Sequence, residues 1–153
     1  MAHIILASSS PRRKELLQQL SLDFEIYSPD IDEAVLEGET VNCYVERLAR
    51  AKAQVVVDLF PNAVVIAADT SLSFKGKIIG KPESKQHAFE IWSELSGQWH
   101  DVFSGLCVAT PTQMLSMFVK TEVQFKSLTH AEMEQYWVGL PLYETAQLLE
   151  RIK

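Results

Sequence analysis

The sequence predicts an α/β domain built on a central mixed sheet. In the first half, short apolar runs alternate with helical periodicity, a pattern typical of parallel strands joined by helices. In the second half, two long strand patterns follow each other across a turn at Thr110-Pro111, which favours an antiparallel pair. The chain has 153 residues, the size of one domain, and no linker, repeat or low-complexity tract divides it. We therefore expect a single domain over residues 1–153.

The spacing of apolar residues predicts each element in turn. Strands are expected at His3–Ala7, around Phe24 and Ile26, at Ala63–Ala68, at His100–Ala109 and at Met114–Phe125, with a hairpin around Lys75-Gly76 joining Ser71–Phe74 to Lys77–Ile79. Helices are expected from Pro11 onwards and at Val41–Leu59, Ser84–Leu95, Thr129–Tyr136 and Pro141–Ile152. The run at Ala63–Ala68 is apolar throughout, so we expect it to be buried on both faces.

The same periodicity predicts which side chains of these elements point inward. The expected inward-facing residues are Leu16, Leu17 and Leu20 of the first helix, Val45, Leu48, Val55, Val56 and Leu59 of the second, Ala88, Ile91, Trp92 and Leu95 of the third, and also Trp99 and Trp137. Cys43 and Cys107 match no metal or disulfide spacing, so both are expected to be buried and reduced.

Composition argues against two classes of partner. The formal net charge is −6, which disfavours nucleic-acid binding because that usually needs a basic face. No apolar run approaches the ~20 residues that a membrane-spanning helix needs. At the N-terminus the apolar stretch precedes the positive charges, which is the reverse of a signal peptide. We therefore expect a cytoplasmic protein with neither nucleic acid nor membrane as partner.

The segment SSSPRRK indicates an anion site at the start of the first helix. Ser10 is a good N-cap and Pro11 a good first helical residue, which places Arg12, Arg13 and Lys14 in the first turn. Cations are unfavourable there by a few tenths to ~1 kcal/mol each, since the helix dipole already presents partial positive charge. Free N–H groups, serine hydroxyls including Ser8, and a guanidinium together suit a phosphate. The alternative is a solvated basic helix start.

Two further residues combine charge with an apolar setting. Lys52 shares a helical face with Val45 and Leu48, so its amine either snorkels to water or meets an anion, whereas Arg47 and Arg50 lie off that face and resemble surface charges. Asp69 directly follows the predicted strand at Ala63–Ala68, with Thr70 next. A carboxylate beyond the carboxyl end of a strand is well placed for metal binding or general-base work. A strand-ending Asp is also a common turn former.

Charged residues in two predicted loops complete the set of candidates. In IIGKP, Gly80 and Pro82 would aim Lys81 in one direction, although a lysine in solvent is the simpler interpretation. Glu33, in DIDE, could supply a second carboxylate near a metal, or belong to a solvated acidic loop. His100 could line a site or only the sheet. Anion-binding cations, a strand-end carboxylate and a remote lysine together suit phosphoryl chemistry on a nucleotide-like molecule with Mg²⁺ or Mn²⁺.

The ordered motifs ILASSSPRRKELL, DIDE, LARAKA, AADTSL, IIGKP and LSGQWHDVFSG resemble the Maf family of nucleoside triphosphate pyrophosphatases. The resemblance extends to TEVQFKSLTHAEMEQYW and VGLPL and so covers nearly the whole chain. It implies a Maf/ITPase-like α/β fold, a twisted mixed sheet flanked by helices, and a cleft between two lobes. It also implies hydrolysis of a nucleoside triphosphate to monophosphate and diphosphate with a divalent metal, and a homodimer.

The resemblance assigns roles residue by residue. Asp69 matches the proton acceptor that activates water, Arg12 and Thr70 match residues that engage the substrate, and Glu33, Lys52 and Lys81 match a metal-side carboxylate and phosphate-binding cations. Ser8 and Arg13 lie in the same substrate-binding motif, and Asp69 is also expected on the metal side. The combination of SPRR and ADT resembles the subgroup acting on dTTP and UTP, whereas members preferring methylated guanine nucleotides usually read SPWR and SDQ.

The chain departs from the family at one junction. Trp137 runs straight into Val138, where typical members carry a few dozen residues that include a base-recognising glutamine and at least one strand. The expected consequences are relaxed base discrimination and unpaired sheet edges. Two hypotheses follow: an active pyrophosphatase acting on dTTP, UTP or modified pyrimidine nucleotides, or a catalytically impaired remnant that binds nucleotides or regulates septum formation at cell division. A destabilised truncation product with neither activity is the third alternative.

Overall fold

A computed structural model of the protein describes residues 3–80 and 82–139. Its strands are β1 (His3–Ala7), β2 (Glu25–Ile26), β3 (Ala63–Phe74), β4 (Lys77–Ile79), β5 (Trp99–Thr110) and β6 (Gln113–Gln124). Its helices are α1 (Pro11–Gln18), α2 (Val41–Leu59), α3 (Lys85–Leu95) and α4 (His130–Gly139). These elements confirm the predicted α/β class and all but one predicted helix. That helix, Pro141–Ile152, and the candidate Lys81 lie outside the described residues.

The six strands form one mixed sheet in the order β2-β1-β3-β5-β6, with β4 beside β3. β1 runs parallel to both β2 and β3, whereas β4 is antiparallel to β3. The predicted hairpin is present, and Lys75 and Gly76 both adopt the left-handed φ that a two-residue turn of this kind requires.

β3 differs from its prediction in length and in burial. It joins two predicted strands, Ala63–Ala68 and Ser71–Phe74, into one of twelve residues, because the sheet continues past the polar pair Asp69 and Thr70. Its residues alternate between buried and half-buried from Ala63 onwards. The expectation of a strand fully buried on both faces is therefore wrong, since one face is covered more completely than the other.

The chain divides into two compact units. The first unit holds the described chain up to Thr70 together with Phe103–Val119, and the second holds Ser71–Val102 and the described chain from Lys120. Each has its own buried apolar cluster, around α2 in the first unit and around α3 in the second. Within the described ranges, no helix combines the length and the apolar character needed to cross a membrane.

The core of the first unit brings α2 close to the sheet. Val45, Leu48 and Val56 of α2 are fully buried, as predicted. Gly105 of β5 makes a close approach possible, because a Cβ there would lie 2.3 Å from the carbonyl oxygen of Val45. This contact fixes the height of α2, and therefore of Lys52, above the strands.

Several predicted core positions in the first unit are wrong. Leu16, Leu20 and Leu59 are exposed, and only Leu17 of α1 is buried. α1 has eight residues and ends at Gln18, so Leu20 lies beyond the helix and Leu16 points about 100° away from Leu17. Leu59 is the last residue of α2. Cys107 is buried as expected, but Cys43 is exposed in the first turn of α2, off the buried face.

The second unit follows its predicted pattern more closely. α3 buries Ala88, Ile91, Trp92 and Leu95, and the Ser84 side chain caps its first turn. The backbone N–H of Glu132 donates to Thr129 Oγ1 while the Glu132 carboxylate accepts from the Thr129 backbone, which is the predicted cap of α4. Trp99 is the exception: its side chain is exposed, because it alternates along β5 with the buried His100.

Candidate active site

Unequal strand lengths place Asp69 and Thr70 beyond the end of a neighbouring strand. β1 ends at Ala7, which pairs with Ala67, whereas the parallel β3 continues through Asp69 and Thr70. Asp69 therefore lies inside β3, and the expectation that it follows the end of its strand is wrong. It still projects past the carboxyl end of β1, the edge of a parallel pair at which α/β proteins bind ligands.

Arg13 connects the start of α1 to β3. The Ser10 side chain accepts a hydrogen bond from the backbone N–H of Arg13 at 3.4 Å, so the predicted N-cap is present and Pro11 occupies the first helical turn. The guanidinium donates from Nη1 to Ser8 Oγ at 3.3 Å and from Nη2 to Thr70 Oγ1 at 3.2 Å. Ser8 itself is buried.

Arg12, the arginine that the family resemblance selects, occupies the same turn and is half-buried. Within the described part of the chain, no hydrogen bond or ion pair joins it to Ser8, Thr70 or Asp69. The geometry thus makes Arg13, rather than Arg12, the guanidinium that is fixed beside the carboxylates.

Lys52 meets two carboxylates instead of snorkelling. Its Nζ lies 3.0 Å from Asp69 Oδ1 and 3.5 Å from Glu33 Oε1. The Lys52 side chain is only 12% exposed. The sequence-based choice between water and an anion is therefore decided in favour of an anion. In this structure the anion is a pair of side-chain carboxylates drawn from β3 and from the loop before α2.

Burial dominates the electrostatics of Asp69, which is 7% exposed. Burial raises the pKa of the Asp69 carboxyl above its usual value, and Glu33 raises it further; Lys52 and Arg13 oppose that shift without cancelling it. Burial likewise lowers the pKa of the Arg13 guanidinium, against the carboxylates of Asp69 and Glu33. A carboxylate with a raised pKa is a stronger proton acceptor than one in water.

Three residues of the site were not identified from the sequence. Tyr44 Oη donates to the backbone carbonyl of Glu33 at 2.5 Å, and Arg47 Nη2 donates to the carbonyl of Ala34 at 2.9 Å. Ser104 Oγ lies 3.4 Å from Thr70 Oγ1. One signal was available: Tyr44 precedes Lys52 by two turns on the same helical face. Arg47, interpreted as a surface charge, is instead tied to the loop that carries Glu33.

The donor set for a metal consists of two carboxylates. Among residues 3–80 and 82–139, no group of three or more His, Cys, Asp or Glu residues is arranged to hold a metal ion. Asp69 and Glu33 nevertheless converge on one ammonium, so their oxygens lie around a point that already holds a positive charge. Mg²⁺ is commonly bound through one or two carboxylates with water and substrate phosphates as the other ligands, and Asp69 and Glu33 match the carboxylate part of that set.

The second unit has a cavity of about 310 Å³. Its lining includes Lys75, Trp99, His100, Asp101 and Glu122, and none of the residues predicted to bind the substrate or the metal. His100 is 3% exposed, and its ring packs edge-on against Phe125 at 4.7 Å between centroids. His100 therefore packs within the sheet and also contributes to the lining of this cavity.

A family model described as Maf-like protein matches residues 3–138. The chain belongs to the Maf family. A Maf relative named dTTP/UTP pyrophosphatase from Acinetobacter baylyi is 53% identical, with 97% of this chain and 98% of that protein covered. A protein of the same name from Colwellia psychrerythraea is 40% identical, with 95% and 86% covered. The predicted family resemblance is therefore confirmed.

Two solved structures share the fold of this Maf chain. The Staphylococcus aureus Ham1 protein superposes with a TM-score of 0.54 at 15% identity, covering 80% of this chain and 71% of that one. A nucleoside-triphosphatase, also titled dITP/XTP pyrophosphatase, from Mycobacterium abscessus gives 0.52 at 16% identity, with 82% and 75% covered. At these identities the likeness concerns the fold alone, and it confirms the predicted α/β class with its mixed sheet.

Proposed function

We propose that this chain hydrolyses nucleoside triphosphates to monophosphate and diphosphate, with dTTP and UTP as its substrates. One observation carries the proposal: the buried carboxylate of Asp69 shares an ammonium with Glu33 beside an arginine anchored by two hydroxyls. That arrangement offers a base, a metal-side carboxylate and phosphate-binding cations in one place. The name of the curated relatives supports dTTP and UTP as the nucleotides.

In the proposed reaction Asp69 is the proton acceptor. A water molecule gives a proton to the Asp69 carboxylate while its oxygen bonds to the α-phosphorus. The bond from that phosphorus to the bridging oxygen breaks, and diphosphate leaves with the electron pair. The raised pKa of Asp69 favours proton transfer, and the ammonium of Lys52 opposes that rise and so favours the ionised carboxylate before the step.

The cations are assigned to the phosphates. Arg13 is held by Ser8 and Thr70 in a fixed orientation, and a planar guanidinium suits two-point recognition of a phosphate. Arg12 shares its helical turn, where free backbone N–H groups also favour an anion. Lys52 and Lys81 are the proposed lysine contacts, the latter on the strength of the IIGKP motif.

A divalent cation, Mg²⁺ or Mn²⁺, fits the site as cofactor, because Glu33 and Asp69 present hard oxygen donors around one positive charge. When bound, such an ion neutralises phosphate charge and polarises the reacting oxygens. Within the protein, Glu33 would supply a carboxylate ligand to the ion. The Lys52 ammonium contacts both the Glu33 and the Asp69 carboxylates.

We further propose that the segment missing from this chain lies between Trp137 and Val138. The alignment with the A. baylyi protein spans 180 positions, so this chain of 153 residues lacks at least 27 of them (180 less 153). The family match also ends at residue 138. The residues that carry the proposed chemistry all precede this point, so turnover is retained while discrimination between bases relaxes.

The protein is proposed to act on a small-molecule nucleotide in the cytoplasm, as a homodimer, without nucleic-acid or membrane partners, and its net charge of −6 supports the exclusion of nucleic acid.

Pyrophosphate release from a panel of nucleoside triphosphates, with Mg²⁺ or Mn²⁺, tests the proposal. We expect release from dTTP and UTP, with other bases less strongly excluded than in the full-length relatives. Saturable dTTP binding without release would favour the alternative of a nucleotide-binding remnant. A cooperative unfolding transition shows that the protein is folded. If such protein neither binds dTTP nor releases pyrophosphate, the proposed function is contradicted.

A further inference from the structure

We propose that Tyr44 and Arg47 are positioning residues that hold the loop before α2 so that the Glu33 carboxylate reaches Lys52 beside Asp69. The proposal rests on the proposed function for its kinetic consequences, but its geometric basis is independent of the substrate. Both residues belong to α2, the helix that carries Lys52.

The loop that carries Glu33 has little structure of its own. Residues 27–40 contain neither helix nor strand. Loops of this length without regular structure are uncommon in compact domains and are usually functional. Their side chains are placed accurately only when other elements fix the backbone, because each free residue costs about 1–2 kcal/mol of conformational entropy to order.

The ion pair between Glu33 and Lys52 is not by itself strong enough to order that loop. The Glu33 side chain is 44% exposed, and its oxygen lies 3.5 Å from Lys52 Nζ. The carboxylate of this pair is open to water, and ion pairs screened by water contribute about 0–1 kcal/mol. The position of the Glu33 carboxylate beside Lys52 therefore depends on what fixes the backbone of the loop.

Helix α2 supplies three anchors for the loop. Tyr44 Oη donates to the Glu33 carbonyl at 2.5 Å, directly at the residue whose side chain matters. Arg47 Nη2 donates to the next carbonyl, that of Ala34, at 2.9 Å. The same guanidinium grips the Glu39 carboxylate with two bonds of 2.6 and 2.9 Å. Charge-assisted, two-point contacts of this type are about twice as strong as neutral ones.

The anchors of the loop and the ammonium that Glu33 must reach belong to the same helix. Tyr44 and Arg47 lie one turn apart, and Lys52 follows on the same rigid element. The loop backbone and the ammonium that the two carboxylates share are therefore fixed in one frame. Since a misplacement of about 1 Å can reduce a rate about 100-fold, releasing the loop has a kinetic cost without removing any group that touches substrate.

Tyr44→Phe tests the proposal because it removes one hydroxyl and keeps the ring. We measure kcat and KM for dTTP and, separately, the Kd of Mn²⁺ alone by calorimetry, in a double-mutant cycle with Glu33→Gln. We expect Tyr44→Phe to lower kcat about 10-fold and to weaken Mn²⁺ binding several-fold, with KM changed less. In the Glu33→Gln background the same substitution should change neither quantity by more than about 2-fold, because its effect passes through Glu33.

Two further variants separate positioning from general damage. Tyr27→Phe removes the same atom from an exposed tyrosine whose ring packs on Phe60, and it should leave both readouts unchanged. Arg47→Lys keeps the charge but loses the two-point grip, so it should fall between the parent and Arg47→Ala. If Tyr44→Phe unfolds, the Arg47→Lys cycle with Glu33→Gln answers the same question.

The proposal is overturned if Tyr44→Phe matches the parent in kcat and Mn²⁺ affinity, or if its effect persists in full when Glu33 is already glutamine. Failure of the proposed function gives a different result. The parent then releases no pyrophosphate, while Tyr44→Phe still weakens Mn²⁺ binding in a way that depends on Glu33. A parent that neither turns over nor binds Mn²⁺ contradicts both.

Discussion

The two units of this chain bury polar groups in different ways. In the first unit, Lys52, Asp69 and Arg13 are withdrawn from water and each faces an opposite charge or a hydroxyl. In the second unit, Nε1 of Trp92 and both ring nitrogens of His100 are buried and have no hydrogen-bond partner among the described residues. The first arrangement keeps charges available for chemistry, whereas the second belongs to a packed core.

The difference shows how burial is used in each unit. A buried charge is strongly unfavourable unless it is paired, so the first unit must hold its groups in fixed relative positions. A buried neutral imidazole or indole N–H loses only its hydrogen bonds, about 1–3 kcal/mol each, and the surrounding apolar contacts offset that loss. Small displacements of these groups should therefore reduce the activity of the first unit, whereas protonation of a buried group should reduce the stability of the second.

The largest expected effect on stability is that of Gly105→Ala in the first unit. The added methyl group would meet the Val45 carbonyl at 2.3 Å, and neither backbone can move without shifting α2 or β5. We expect the free energy of unfolding to fall by about 3 kcal/mol, measured by chemical denaturation. Gly80→Ala in the second unit is the matched control, because no described residue beyond its chain neighbours lies within 4 Å of its added carbon. Equal losses in the two variants would contradict the close approach of α2.

The largest expected effect on substrate affinity is that of Arg13→Ala. It removes a guanidinium that is held by Ser8 and Thr70, and a charge-assisted contact to phosphate contributes about 1–3 kcal/mol. We expect the KM for dTTP to rise about 10- to 100-fold. Arg12→Ala, in the same turn, should raise KM by a smaller factor. If Arg12→Ala raises KM more than Arg13→Ala does, Arg12 is the main substrate-binding arginine, as the family resemblance implies.

His100 provides the smallest expected effect, a pH dependence of stability located in the second unit. Burial lowers the pKa of His100 below its usual value of 6.5, with Asp101 opposing. The unfolded chain therefore binds the proton first as the pH falls, so this contribution is complete above pH 6.5 and is lost as the pH drops towards the folded-state pKa.

Denaturation at pH 7.5 and pH 5.5 measures this contribution. We expect the free energy of unfolding to fall by about 1 kcal/mol between the two, and His100→Leu to abolish that part of the decrease. His130→Gln, at an exposed histidine, should leave it in place. If the free energy of unfolding of His100→Leu falls by the same amount between the two pH values, His100 is not the source of the pH dependence.

Local rules predicted much of the fold. The caps at Ser10 and Thr129 and the turn at Lys75-Gly76 depend on neighbouring residues only, so the sequence was sufficient for them. Which strand face is covered depends on the other layers, and for that reason Trp99 was placed inside wrongly. The extension of β3 through Asp69 depends on pairing with distant strands, which periodicity does not report.

Only part of the candidate site could be predicted, because its contacts also join residues that are distant in the sequence. Lys52 and Asp69 could be identified because charge in an apolar setting is visible in sequence. Their direct contact spans 17 positions, and the choice between Arg12 and Arg13 depends on Thr70, 57 positions away. Tyr44 and Arg47 contact an irregular loop 11 and 13 positions away, and no periodic pattern describes such contacts.

The central claim is that the first unit performs the chemistry through Asp69. Its most direct test compares pyrophosphate release from dTTP and UTP by the parent, by Asp69→Asn and by Asp101→Asn, with all three shown to be folded. Asp101 is a carboxylate of β5 in the second unit, so the pair separates the two regions. We expect Asp69→Asn to reduce kcat by about 1,000-fold or more while nucleotide binding persists, and Asp101→Asn to retain the parent rate. Release by Asp69→Asn near the parent level would contradict the account.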